Sequence, residues 1–120
     1  MARKRNLTNG GATWSGTLLA APVALGMVAL GTTQATALPL VEDICVVGTT
    51  ALGTGVVAPQ LDNHESIMVA NHGANALLLY PPVGGTMNGA AINVAITIPS
   101  FKNVLVTGIG GLNSIVHISA

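Results

Sequence analysis

Four side chains that can ligate a metal ion or transfer a proton lie close together in the sequence: Asp62, His64, Glu65 and His72. Their spacing matches neither two histidines four residues apart on a helix nor paired Cys-x-x-Cys, which are recurrent ligand arrangements. The first three follow Pro59 and precede an apolar run, so we interpret them as part of a polar surface loop. We therefore predict no metal ion and no cofactor.

Cys45, His117 and a glycine-rich segment around residue 110 are the other candidates for catalysis. A nucleophilic thiol needs a base within hydrogen-bond reach and an orienting group, and neither can be placed here. Cys45 is flanked by apolar residues and is interpreted as a small buried hydrophobe, and a single cysteine forms no intramolecular disulfide. His117 is interpreted as a satisfied or outward-pointing strand histidine. The glycines lack the strand-then-helix context of a dinucleotide site and indicate a turn. We predict that the protein is not an enzyme.

The composition points to a chain that works in an assembly. Half of the 120 residues are hydrophobic and 7% are charged, against about 25% charged residues in typical domains. Intrinsic disorder is excluded for the bulk of the chain, because disordered segments are poor in apolar residues and rich in charge. A surface with so few charges is most simply buried against another protein chain. We therefore predict an assembly component.

The zero net charge hides an asymmetry. Arg3, Lys4 and Arg5 give the first five residues a charge of +3, whereas residues 6–120 contain one lysine and four acidic residues. No basic face follows residue 5, so we predict no nucleic-acid partner. The basic tip either contacts phosphate or an acidic protein groove, or is a solvated tail.

The N-terminal region allows two interpretations. The basic tip, the apolar run over residues 18–30 and the small residues 35–37 imitate a secretory signal with a cleavage site. Twelve residues, several of them glycine, separate Arg5 from Leu18, however, where a signal would join its charged and apolar parts directly. The run is also too short to span a bilayer, so we predict no membrane partner. We interpret residues 1–30 as an uncleaved N-terminal arm, with residues 18–30 either helical or extended, and residues 31–120 as a β domain.

From residue 38 onward, short β-branched runs alternate with Gly, Pro and Asn clusters every eight to twelve residues. This spacing is typical of a sandwich or barrel. No internal repeat is visible, and residues 71–75 have the composition of a tight hairpin. The run at residues 66–71 is apolar on both faces, which indicates a strand covered on both sides. The sequence predicts an all-β fold, a small antiparallel β-sandwich or barrel-like domain with an extended N-terminal arm. The predicted strands are residues 44–47, 56–58, 66–71, 76–80, 92–98, 104–107 and 114–118.

Residues 69–89, VANHGANALLLYPPVGGTMNG, carry a resemblance to a known class of proteins. They resemble a pattern of small virion proteins of tailed bacteriophages, roughly V-x-N-x-G-A-N-A-L-x-V-Y-P-P-x-G-G-T-I-N-G. The resemblance extends from about Thr32 to the C-terminus and departs from the pattern there, because similar proteins tend to end in a strand that contains an aromatic residue. Residues 1–30 lie outside it.

The resemblance implies a capsid decoration (cement) protein or a head-fibre type virion protein. Such a protein is an all-β homotrimer on the outer surface of the capsid, bound to the major capsid protein. The alternatives are a trimeric head-fibre or tail-associated module that binds the host surface, and a secreted β protein with a cleaved signal. On physical grounds we expect the arm to make the contact with the partner, through Arg3, Lys4, Arg5, Trp14, Leu18, Leu19, Val23, Leu25, Val28 and Leu30.

Overall fold

The computed structural model describes residues 23–119, which form nine β-strands and no helix, so the predicted all-β class is confirmed. None of these residues belongs to a helix that is long and apolar enough to cross a membrane. The strands are β1 (Val23–Val28), β2 (Leu38–Pro39), β3 (Ile44–Thr49), β4 (Gly55–Val57), β5 (Ser66–Asn71), β6 (Leu77–Tyr80), β7 (Ile96–Ile98), β8 (Asn103–Gly110) and β9 (Asn113–Ile118).

The strands form two mixed sheets. The five-stranded sheet has the order β1-β3-β5-β8-β9, and the four-stranded sheet has the order β2-β4-β6-β7. In the first, β1, β3 and β5 are parallel, and β8 and β9 continue the sheet antiparallel. In the second, β2, β4 and β6 are parallel and β7 is antiparallel to β6. Neither sheet closes into a barrel among the described strands.

The first six strands alternate between the two sheets, so each pair of successive strands makes one coil of chain. Three such coils, β1–β2, β3–β4 and β5–β6, stack in parallel. Ala24, Cys45 and Val69 occupy equivalent positions in the successive coils. A coil pairs with its neighbours, as in repeat proteins. No repeat is visible in the sequence because the coils share a backbone path but few identical side chains.

The predicted antiparallel arrangement is wrong for these six strands. The spacing predicts that successive strands pair with each other, whereas each successive strand lies in the opposite sheet. Parallel strands need a crossover of about a dozen or more residues, and here each crossover contains a strand of the other sheet. Residues 71–75 therefore cross between the sheets and do not form the predicted hairpin. In the described part of the chain, the tight hairpin is the one between β8 and β9.

Two other segments differ locally from the prediction. The run at residues 92–98 is a strand only at β7, because Asn93 adopts a positive φ of 65°. Its backbone N–H donates to the Gly85 oxygen at 2.9 Å, which fixes this part of the chain to the preceding loop. The apolar run at residues 18–30 is extended where the structure describes it. It contains β1, which pairs with β3 in the five-stranded sheet.

The core is a single cluster of buried apolar side chains contributed by both sheets and by the connections between them. Alternate residues of β3, β5, β8 and β9 point into it, as the period of two in a half-buried strand requires. Its largest fully buried members are Leu40, Ile67, Leu77, Leu79, Met87 and Ile98. Within residues 23–119, aliphatic side chains fill this core, and neither Tyr80 nor Phe101 is among its buried members.

Candidate interaction surface

The residues considered for metal binding are not brought together. Asp62, His64 and Glu65 precede β5 and His72 follows it, so a six-residue strand holds them about 20 Å apart. Glu65 is buried, and its Oε1 accepts a hydrogen bond from the backbone N–H of Asp62 at 2.8 Å. Within residues 23–119, no three His, Cys, Asp or Glu side chains are grouped so that they could hold a metal ion. Glu65 thus stabilises the turn that leads into β5.

Cys45 lies on the buried side of β3 with no exposed surface. Its Sγ donates a hydrogen bond to the Glu42 backbone oxygen at 3.4 Å. Burial raises the pKa of the Cys45 thiol above its ordinary value of 9.0, because the thiolate loses its hydration. A thiol in this state is a poor nucleophile at neutral pH, since the reactive form is the thiolate.

We expect replacement of Cys45 by valine to lower the free energy of unfolding by about 1–2 kcal/mol, as for a modest core change.

The native thiol should resist Ellman's reagent at neutral pH and react only as the protein unfolds. Because the folded-state pKa is raised, the thiol's contribution to stability is fully present below pH 9.0 and is lost as the pH rises through the raised value. Rapid labelling under native conditions would contradict the burial of Cys45.

In the segment that carries the resemblance, Asn71 makes the most side-chain hydrogen bonds. It is fully buried at the end of β5. Its Nδ2 donates to the backbone oxygens of Asn75, Ile98 and Pro99 at 2.9, 3.0 and 3.2 Å, and its Oδ1 accepts from the backbone N–H of Gly73 at 3.0 Å. One amide therefore joins the crossing after β5 to the end of β7.

Gly73 and Asn75 fit that crossing against Thr50, which lies in the equivalent crossing of the preceding coil. The Thr50 hydroxyl donates to the Asn75 oxygen at 2.9 Å, and the Asn75 Nδ2 donates to the Thr50 oxygen at 2.8 Å. A Cβ atom on Gly73 would lie 2.7 Å from the Thr50 nitrogen and closer still to its Oγ1. Glycine is therefore required here by the close approach of two coils.

The second half of the same segment covers the outer edge of β9. The backbone N–H of Ser114 donates to the Thr86 oxygen at 3.1 Å, and that of Asn88 donates to the Ser114 oxygen at 3.0 Å. The Asn88 side chain accepts from the Val116 N–H at 2.7 Å and donates to the Val116 oxygen at 3.1 Å. Met87 between them is fully buried. The segment that carries the resemblance therefore builds part of the fold.

Of the ten residues predicted to contact a partner, four are described by the structure. Val23, Leu25, Val28 and Leu30, here called the β1 strip, are all exposed, Leu25 at 73%. Gly26 in the middle of β1 has a φ of +64°, and the register with β3 shifts there. The β1 strip therefore presents apolar side chains to solvent along an irregular edge. The other six lie outside the described residues: Arg3, Lys4, Arg5, Trp14, Leu18 and Leu19.

A second apolar surface was not predicted from the sequence. It is the exposed side of β3, β5, β8 and β9, here called the sheet face, and it continues into the β1 strip at Val23, which pairs with Ile44 on the same side of the sheet. Met68, Leu105 and Ile115 are 41%, 44% and 49% exposed on it, and His117 lies opposite Leu105 and points outward. The sequence feature that could have indicated this surface is the run at residues 66–71, which is apolar on both sides. In the described chain Ile67 faces the core, while Met68 remains open to solvent.

The comparisons with known proteins identify no relative: no family model, curated protein or solved structure matches this chain.

Proposed function

We propose that this protein is a structural virion protein that binds the outside of the major capsid protein lattice of a tailed bacteriophage and stabilises the head. It is a capsid decoration protein without catalysis or cofactor, and it acts as a homotrimer. Its two sheets pack face to face as a sandwich-like bead. The main support is the exposed apolar surface of the β1 strip on a chain with few charges to solvate it, together with the resemblance of residues 69–89.

The mechanism of stabilisation is multivalent contact. A trimer placed across a joint between neighbouring capsid subunits holds several of them at once, so separating the subunits requires breaking all three contacts together. Each contact then needs only modest affinity, since the linkage of three sites raises the overall avidity by about 10²- to 10⁴-fold. The apolar β1 strip contributes buried area, and Arg3, Lys4 and Arg5 contribute mainly the association rate and its salt dependence.

We expect replacement of Leu25 by glutamate to reduce occupancy on particles about tenfold or more, because an unpaired carboxylate would be buried in the contact. The matched control is Leu52→Glu, since Leu52 is 83% exposed and lies in the turn between β3 and β4. Particles that lack the protein are mixed with each purified variant, and bound protein is quantified after sedimentation. Equal occupancy of the two variants on the particles would show that the β1 strip is not part of the contact.

The ratio of this chain to the major capsid protein in purified particles tests the function itself. A decoration protein is present in a copy number comparable with that of the capsid protein, whereas a fibre or tail component is present in few copies. Cryo-electron microscopy of the same particles would place the protein on the head surface or elsewhere. A low ratio with density at the tail would replace this proposal by the host-binding alternative.

A further inference from the structure

We propose that Phe101 is an anchor residue, whose ring inserts into an apolar pocket of the protein partner while Lys102 meets a carboxylate at the rim of that pocket. The partner is the capsid surface, so this inference rests on the proposed function. It adds a second contact, on the turn between β7 and β8, that does not involve the β1 strip.

The backbone of Phe101 has a conformation that a phenylalanine rarely adopts. The backbone N–H of Lys102 donates to the Pro99 oxygen at 3.2 Å, which makes Phe101 the third residue of a four-residue turn. Its φ is +63°. Turns with a positive φ at this position favour glycine or asparagine, because a Cβ atom crowds the backbone in the left-handed region. The turn itself therefore does not account for a bulky aromatic residue.

The packing of the chain does not account for the ring either. Phe101 is 72% exposed and is not a member of the core cluster. Aromatic side chains stabilise a fold mainly through the large area that they bury, and this ring leaves most of its surface in water. Backbone strain that folding does not require is typical of residues with a functional role. The exposed ring of Phe101 is therefore assigned to a partner.

Hydrogen bonds hold the turn that carries Phe101 in one position. The Phe101 backbone N–H donates to the Asn71 oxygen at 2.7 Å, and the Asn71 backbone N–H donates to the Lys102 oxygen at 2.9 Å. The Ser100 hydroxyl donates to the Gly73 oxygen at 2.5 Å. Three successive residues of the turn are thus fixed to the end of β5 and to the crossing that follows it. A ring on a fixed backbone loses little conformational entropy when it binds.

The charges of the described chain select the kind of partner. Lys102 is the only lysine or arginine in residues 23–119, and these residues contain four acidic side chains. A chain with this negative balance is repelled by the dense phosphates of a nucleic acid or an anionic membrane. Buried aromatic anchors in well-packed pockets are, by contrast, the usual energetic centres of protein–protein interfaces. The ring therefore fits a pocket in a protein.

The position of Lys102 indicates a carboxylate at the rim of that pocket. The acidic residues lie in the connections that precede β3 and β5: Glu42, Asp43, Asp62 and Glu65. The turn at residues 99–102 instead adjoins the other end of β5. A six-residue strand spans about 20 Å, so the lysine is separated from these carboxylates. Directly beside the exposed ring, the chain thus presents a positive charge, which is complementary to a carboxylate of the partner.

Phe101→Asn tests the anchor, because asparagine lacks the ring but tolerates a positive φ. We expect its binding to particles to be about thirtyfold weaker or more, as for other aromatic anchors. Its urea midpoint should be unchanged or higher, since the strain is relieved and little buried area is lost. Particles that lack the protein are titrated with each purified full-length variant, and bound protein is quantified after sedimentation.

Val41→Asn is the matched control. Val41 is 67% exposed and precedes β3, at the opposite end of the five-stranded sheet from Phe101. This variant should bind particles as the wild type does. Lys102→Gln should slow association and reduce its salt dependence, because a charge at the rim of a contact acts mainly on the association rate.

The outcomes separate this inference from the proposed function. If the wild type binds particles and Phe101→Asn binds as tightly as Val41→Asn, the anchor is refuted and the proposed function stands. A lower urea midpoint for Phe101→Asn would show that the ring serves the fold, and would overturn the inference as well. An unchanged association rate for Lys102→Gln would refute the carboxylate at the rim. A wild type that binds no particle refutes the proposed function, and this contact with it.

Discussion

Replacement of Asn71 by alanine is expected to destabilise the protein by about 3–5 kcal/mol. The amide makes four hydrogen bonds at a position with no exposed surface. Each is worth about 1 kcal/mol net, and a buried group that loses its partner costs about 1–3 kcal/mol more. The change also leaves a cavity at the point where the crossing after β5 meets the end of β7. Urea unfolding monitored by circular dichroism measures the loss.

Two further variants separate the hydrogen bonds from the volume. Asn71→Asp keeps the shape but places a carboxylate oxygen against the backbone oxygens of Ile98 and Pro99, so we expect it to be at least as destabilising as alanine. Asn63→Ala is the matched control, since Asn63 is exposed in the turn before β5 and should change stability by less than about 0.5 kcal/mol. Equal stability of the Asn71 and Asn63 variants would show that the amide network does not hold the sheets together.

The strands themselves were largely predictable from the sequence. The strand at residues 66–71 has the predicted bounds, and β3, β4, β6, β8 and β9 each overlap a predicted run. These runs are rich in β-branched residues and are bounded by Gly, Pro and Asn, so local preference and turn chemistry agree. β1 and β2 were not predicted. β1 contains Gly26 and follows Pro22, and β2 has only two residues, so neither produces a strand pattern.

The topology could not be predicted in the same way. A period of two tells which residues of a strand face the core, but it does not tell to which sheet the strand belongs. Residues 71–75 have the composition of a hairpin turn, yet the side chain of Asn75 bonds to Thr50 and that of Asn71 bonds to the end of β7. Those partners are more than twenty residues away in sequence. The crossing is specified by long-range contacts that no local pattern contains.

The candidate surfaces, like the fold, were predictable from the sequence only in part. The scarcity of charge predicted that some apolar surface would need a cover, and the β1 strip and the sheet face are two apolar surfaces exposed in residues 23–119. Only the first was expected, because the apolar run at residues 18–30 is continuous in the sequence. Met68, Leu105 and Ile115 lie on three different strands. They become one surface only through the pairing of β5, β8 and β9.

Several residues of the segment at residues 69–89 hold the fold together. Asn71, Gly73 and Asn75 fix the stacking of the coils, and Thr86 and Asn88 cover the edge of β9. These residues therefore have structural roles in this fold. The proposed partner contacts lie on β1 and at Phe101, outside this segment.

Replacement of Gly73 by alanine is expected to cost about 3 kcal/mol, which is the upper range for overpacking a buried site. The added Cβ would lie 2.7 Å from the Thr50 nitrogen and 2.9 Å from the Thr50 Cβ. Thr50 is buried, and its hydroxyl is held by the Asn75 oxygen, so its side chain cannot turn away without losing that bond. The two coils would have to separate at this crossing. Urea midpoints and slopes give the loss in stability.

Gly48→Ala is the matched control, because this glycine lies in β3 just before the Thr50 crossing and has room for a methyl group. The nearest atom to its added Cβ is the Gly26 Cα at 3.6 Å, an ordinary contact. We expect Gly48→Ala to change stability by less than about 1 kcal/mol and even to raise it, since alanine reduces the conformational entropy of the unfolded chain. The difference between the two variants isolates the contact between coils. If both unfold at the same urea concentration, the crossings after β3 and β5 do not pack against each other, and the stacked-coil arrangement is wrong there.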